Sequence, residues 1–254
     1  MNEKEAFVLS HLGLGDNICL LGAVIYLTTI YERVLFVVKK RNETNIRLFL
    51  KDTPKVELYL VNDDYDISPA YGCSMEKFLE VTRGKKLFLS GTHIKNYHTT
   101  SLFPLCFYSD MNLDKSIFYE YFKLPKHIDS NLQNVLDLKF PIIFCHDNSS
   151  TTGFVDILGR QEINIDKNII INACRNIYTE AHPFHKIAET YVFLPLVHYI
   201  PIIEHSDAIF ITDSSFWCLS VHIKTKPNIK KVCYTRNLGI NFAKTDSSYI
   251  YENL

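Results

Sequence analysis

The sequence has almost no net charge, since 27 Lys and Arg face 28 Asp and Glu for a formal charge of -1. That balance removes the electrostatic case for a nucleic-acid or anionic-membrane partner. It has no CxxC pair, and its seven cysteines, at positions 19, 73, 106, 145, 174, 218 and 233, are odd in number and irregular in spacing. Several stand inside apolar runs as small buried hydrophobes, which argues for a reducing compartment and against a disulfide framework. No apolar run reaches the roughly 20 residues of a membrane span. The longest, residues 18–30, also contains two threonines. The opening residues, Asn2, Glu3, Lys4 and Glu5, are not those of a signal peptide. There is no tandem repeat and no low-complexity tract. Together these absences predict a soluble, cytoplasmic protein without a transmembrane segment.

What remains is the composition of a packed α/β protein. The chain of 254 residues is 47% hydrophobic and 22% charged, enough for one large domain or two small ones. Short apolar runs at residues 6–10, 34–38, 56–61 and 86–90 read as strands, with helical segments over 16–31 and 45–51 between them. A polar stretch at 124–137 reads as a linker. The alternation then restarts, with strands at 141–145, 168–172, 208–212 and 231–234 and helices over 199–204 and 214–223. Strand and helix in alternation mean βαβ units and parallel sheets. The simplest organisation is two Rossmann-like halves, residues 1–138 and 139–254.

Three polar loops follow strands and carry the chemistry. The first is His11-Leu12-Gly13-Leu14-Gly15-Asp16-Asn17. Gly13 and Gly15 permit a tight turn and close approach of a ligand to the backbone. Asp16 has two readings, a helix cap or a general base projecting from the strand ends. It is not the dinucleotide fingerprint, because no third glycine follows and no acid ends the second strand. Lys39, Lys40 and Arg41 stand there instead, where they could meet an NADP phosphate. The second loop is His146-Asp147-Asn148-Ser149-Ser150-Thr151-Thr152-Gly153. Its four hydroxyls suit a phosphate or a plain surface loop. The third is Asp213-Ser214-Ser215 after residues 208–212, either an ordinary helix cap or a site for a phosphate or hydroxyl-rich ligand.

Two further segments have competing readings. Asp63-Asp64-Tyr65-Asp66 resembles the manganese-binding Asp-x-Asp of GT-A glycosyltransferases, and it is also a natural polar turn. The stretch from Arg175 to Lys186 holds His182 and His185 without zinc spacing. It reads as a surface loop held by Pro183 or as a loop facing a nucleotide sugar, with Arg175 or a histidine on the diphosphate.

Taken in order, the three loops resemble the heptosyltransferase-like branch of GT-B glycosyltransferases over most of the chain. Gly15-Asp16 matches that family's Gly-Asp pair at the first helix. Asp213-Ser214 matches the start of its Asp-Ser/Thr-Gly-x-x-His motif, with Ser215 in place of the glycine and Cys218 in place of the histidine. The resemblance implies two Rossmann-like domains with a cleft between them. The first would bind an acceptor through Gly13, Gly15 and Asn17 and present Asp16 as the base. The second would bind a nucleotide-activated sugar through Ser149, Ser150, Thr151, Thr152, Arg175, His182, Asp213, Ser214 and Ser215. It implies metal-independent, inverting transfer to an acceptor hydroxyl, with the nucleotide sugar as co-substrate and no other cofactor. The competing readings are a nucleotide-sugar epimerase of the same fold and a non-catalytic nucleotide- or sugar-binding protein.

Overall fold

The apolar runs become parallel strands in a computed structural model that describes residues 4–94, 103–126, 131–236 and 246–254. The chain divides into two compact units, Met1–Pro125 and Lys126–Leu254. The stretch expected as a linker straddles this division. Its residues 127–130 lie outside the described residues, and the remainder contains a short helix of the second unit.

The first unit is built on strands β1 (Glu5–Leu9), β2 (Arg33–Lys39), β3 (Val56–Val61) and β4 (Lys86–Leu89), with helices α1 (Leu14–Cys19), α2 (Leu21–Leu27), α3 (Glu43–Leu50), α4 (Met75–Thr82), α5 (Leu105–Asp110) and α6 (Ile117–Glu120). The sheet order is β3-β2-β1-β4, and every pairing is parallel. Phe7 lies opposite Leu35 on one side and Leu87 on the other. Because side chains alternate across a strand, Phe7, Leu9, Leu35 and Val37 share one face, where they pack with Leu12, Val61, Ile67 and Phe78. Ala6, Val8, Val34, Phe36 and Val38 lie on the opposite face and are also fully buried. Burial of both faces explains why these strands read as continuous apolar runs instead of alternating ones.

The helix expected over 16–31 is interrupted between α1 and α2. In an unbroken helix the Ala23 N–H would donate to the Cys19 carbonyl. Instead the Tyr108 hydroxyl stands between them, accepting from Ala23 N at 3.2 Å and donating to Cys19 O at 2.8 Å. A side chain inserted into the backbone ladder is a recognised cause of a helix break. Gly22 makes room for it: a Cβ there would lie 2.7 Å from Ile117 O and 2.8 Å from the Tyr108 hydroxyl.

The second unit contains α7 (Leu132–Asp137), β5 (Ile142–His146), β6 (Asn148–Ser149), β7 (Gly153–Phe154), α8 (Ile157–Arg160), β8 (Ile169–Asn172), α9 (His185–Glu189), α10 (Ile200–His205), β9 (Ala208–Thr212), α11 (Ser215–Ser220), β10 (Lys230–Thr235) and β11 (Ile250–Asn253). Its main sheet runs β11-β10-β9-β5-β8, again wholly parallel. The loop expected over 147–153 is a small antiparallel hairpin, in which Asn148 pairs with Phe154 and Ser149 with Gly153. Gly153 has a φ of 71°, which glycine adopts without penalty. No helix among the described residues is long and apolar enough to cross a membrane. All seven cysteines are free thiols, and only Cys174 is not buried.

The Tyr108 bridge generates a stability prediction. Tyr108→Phe keeps the ring but strands a buried N–H and a buried carbonyl at the helix break. It should lower stability by about 1–3 kcal/mol, measured by denaturant unfolding of wild type and variant.

Candidate functional site

In each of the two main sheets all strands point the same way, so their carboxyl ends lie along one edge, where open α/β sheets place their ligands. In the first unit this edge gathers the residues that follow β1, β3 and β4 with the end of β2. Gly13, not Asp16, is the N-cap of α1, and Asp16 occupies its first turn. A carboxylate there is favoured by the positive end of the helix, so the cap alternative is replaced by a related one. The carboxylate folds back over the glycine turn: a Cβ at Gly13 would lie 2.5 Å from Asp16 Oδ2. A side chain at Gly13 would therefore displace the Asp16 carboxylate from this position. Asn17 is fully buried, and its side-chain oxygen accepts from Asn42 at 3.3 Å, while Asn42 also donates to Leu12 O. That places Asn17 as a brace for the loop. Gly15 lies inside α1.

Two histidines join this edge. His93 donates from Nε2 to the Ser10 carbonyl at 2.9 Å, which leaves Nδ1 to accept from the Ser68 hydroxyl at 2.6 Å. His11 packs against Gly91, where no side chain would fit, and its ring centroid is 5.9 Å from that of Phe107. Burial holds both imidazoles below the usual histidine range, although Asp64 opposes the shift in each. Lys39 contacts Asp63 and Asp64, each at 2.6 Å. Asp66 accepts from the backbone of Asn62 at 2.7 Å and closes a capping box with Asp63. The Asp-x-Asp segment is therefore a capped turn anchored on Lys39. Among the described residues no group of three or more His, Cys, Asp or Glu could hold a metal.

The second unit brings most of its expected residues to one edge. His146, the last residue of β5, is buried, and its Nδ1 lies 3.1 Å from Thr212 Oγ1 and 3.0 Å from Ser214 Oγ. Ser214 caps α11 by accepting from Phe216 N, and Ser215 is that helix's first residue. Asp213 follows β9 and accepts from the Thr235 hydroxyl at 3.4 Å. Asp147 is buried, and its Oδ2 takes both Nε and Nη2 of Arg175 at 2.9 Å. Ser149 and Thr152 turn inward and bond each other at 2.8 Å, whereas Ser150 and Thr151 stand exposed at the hairpin turn. His182 has both ring nitrogens engaged, Nδ1 by Phe184 N at 3.1 Å and Nε2 by Asp166 at 3.3 Å, and it stacks on Tyr178. It serves as a pillar of its own loop.

Comparison with solved structures shows likeness at the level of the fold. The structure of a glycosyl transferase family 9 protein from Veillonella parvula DSM 2008 superposes with a TM-score of 0.56 at 10% identity, over 100% of this chain and 88% of that one. The iron-containing dodecameric glycosyltransferase TibC from enterotoxigenic E. coli H10407 gives 0.51 at 12% identity, over 91% of this chain and 57% of that one. A second TibC structure, described as a dodecameric iron-containing heptosyltransferase in complex with ADP-D-beta-D-heptose, also gives 0.51 at 12% identity, over 92% and 59%.

The fold is GT-B-like.

No family model matches the sequence, and no curated relative matches it either. The chain spans less than two thirds of TibC's length. TibC's iron finds no fitting cluster among the described residues of this GT-B-like chain.

His146, His93 and His11 were the residues that loop reading left without a role. The available signal was position, since each stands at or just beyond the end of an apolar run.

Electrostatics at the second edge generate a pH prediction. Burial pushes the Asp213 carboxyl up to about 6, against the Thr235 contact, and pulls the His146 imidazole down to about 4. Asp213 folds more readily when protonated, so its contribution to stability is full below about pH 4 and is lost as pH rises through about 6. His146 folds more readily when neutral, so its contribution grows as pH rises from about 4 through about 6.5. The two trends oppose each other in the wild type. Asp213→Asn removes one of them, so relative to wild type it should gain up to about 2–3 kcal/mol between pH 4 and pH 7. Urea unfolding of both proteins at those two pH values checks this.

Proposed function

We propose that this chain is a glycosyltransferase that moves a sugar from a nucleotide-activated donor to an acceptor hydroxyl. The first unit takes the acceptor and the second the nucleotide sugar. The observation that carries the proposal is Asp16, held over Gly13 beside the carboxyl end of the central strand β1. An unactivated hydroxyl is a poor nucleophile, and a carboxylate within reach of its proton makes it a good one. The GT-B-like fold supports this reading, because the structures it resembles are glycosyltransferases, one holding a nucleotide sugar.

In this reading Asp16 removes the acceptor proton as the hydroxyl oxygen attacks the anomeric carbon, and the bond to the nucleoside diphosphate breaks. One base and one displacement give inversion at that carbon. The donor contacts come from the second unit's edge. Ser150 and Thr151 offer exposed hydroxyls at the hairpin turn, and Asp213 and Ser214 stand at the end of β9. Arg175 reaches out from beyond β8, half exposed. Ser149, Thr152 and His182 shape these loops through the bonds already described. Asn17, Gly13 and Gly15 set the conformation of the acceptor loop. No metal takes part, and the leaving diphosphate is held by hydrogen-bond donors of the protein.

Two tests follow. Asp16→Asn keeps the shape and removes the proton acceptor. Turnover should fall roughly 10²- to 10⁴-fold, while nucleotide-sugar affinity and unfolding change little. An Asn variant that transfers sugar at the wild-type rate would refute the assignment. Transfer should also persist in excess EDTA, and strict dependence on added manganese would instead bring Asp64 and Asp66 into the site as ligands.

A further inference from the structure

The expected use of Arg175 was a grip on the donor's diphosphate. The geometry around it points elsewhere. Asp147 is 3% exposed in its side chain, and its Oδ2 already takes both Nε and Nη2 of Arg175. Its other oxygen, Oδ1, is buried without a hydrogen-bond partner. The side-on pair of donors, Nε and Nη2, is therefore directed inward, onto a carboxylate that offsets much of the charge. What remains outward is the flat guanidinium. Its Cζ lies over the Phe154 ring, 5.0 Å from the ring centroid. The side chain is still 48% exposed.

The surroundings fit a flat ligand. Phe154 is 58% exposed on the hairpin. Phe193 is 79% exposed, and its N–H donates to Ala173 O at 3.0 Å, two residues before Arg175. Its φ of 55° is a strained conformation for a bulky residue, the kind that persists where structure around a functional site imposes it. An exposed ring with a guanidinium over it thus stands beyond the ends of β5 and β8, and a second exposed ring, Phe193, is carried by a segment bonded to the residue after β8.

We propose that the Phe154–Arg175 pair binds the base of the nucleotide by stacking. Arginine planes and aromatic rings both stack on heterocycles, and the stacking tolerates different bases. Asp147 is then a positioning residue, which fixes the guanidinium through Nε and Nη2. The inference rests on the nucleotide-sugar reading and assigns one part of its donor site.

The test is calorimetric titration of the full chain with ADP, GDP, UDP and CDP. Inorganic pyrophosphate serves as a competitor that lacks a base. Arg175→Lys keeps the charge and loses the plane. Phe154→Ala removes the exposed ring beneath the guanidinium, so it keeps the proposal testable if Arg175→Lys fails to fold. Each variant should weaken the tightest-binding nucleoside diphosphate by about 5- to 150-fold, the range for loss of one stacking partner. Competition by pyrophosphate should stay as in wild type. Unchanged nucleotide affinity in the folded variants would overturn the proposal, as would an equal loss for pyrophosphate. If wild type binds none of the four nucleotides, the nucleotide-sugar reading falls as well, so the two failures are distinguishable.

Discussion

The polar groups with a chemical task in this chain are placed by one constraint: the inner parallel strands, such as β1, β2, β5 and β9, are buried on both faces. A side chain in the middle of β1 meets either the Phe7 and Leu9 layer or the Ala6 and Val8 layer, and both are dry. An unpaired polar group in either layer would cost several kcal/mol. Hydrogen-bonding and titratable side chains are therefore displaced to the strand ends, where the sheet stops. In both units the residues just beyond the last apolar position of adjacent strands then bond sideways to one another. His93 reaches Ser10, Lys39 reaches Asp63 and Asp64, His146 reaches Thr212 and Ser214, and Arg175 reaches Asp147.

These lateral bonds separate side chains that build the edge from those left to act. Ser149, Thr152 and His182 are committed to neighbouring protein groups. Lys39 is committed too: burial would lower its pKa, but its contacts with Asp63 and Asp64 outweigh that and raise it. Ser150, Thr151, Phe154 and Phe193 are exposed and perform no evident packing. Low-dielectric surroundings make the edge responsive to protons, because burial shifts Asp213 upward and His146 downward into neighbouring pH ranges.

Much of the architecture was legible because doubly buried strands are written as uninterrupted apolar runs. Residues 208–212 match the observed β9 end to end. Where burial is one-sided the signal fails. β11 pairs only with β10 at the sheet's edge, and Ile250, Tyr251, Glu252 and Asn253 carry no apolar run. Helix α4 leaves Met75 and Leu79 exposed, so its apolar residues do not mark one buried face, though the Ser74 cap was there to be read. The break between α1 and α2 depends on Tyr108, 85 residues from the N–H it accepts. The loops that hold the candidate site were found by position after strands. Which of their side chains point outward was not, because that depends on partners such as Asp166 and Asp147 that only the fold brings near.

The account stands or falls on group transfer. The direct measurement is NMR analysis of the products formed from a panel of nucleotide sugars, each incubated with and without hydroxyl-bearing acceptors. The account predicts that nucleoside diphosphate is released only when an acceptor is present, and that the new glycosidic carbon has the anomeric configuration opposite to the donor's. Interconversion of nucleotide sugars without acceptor, or binding with no turnover on any acceptor, would contradict it.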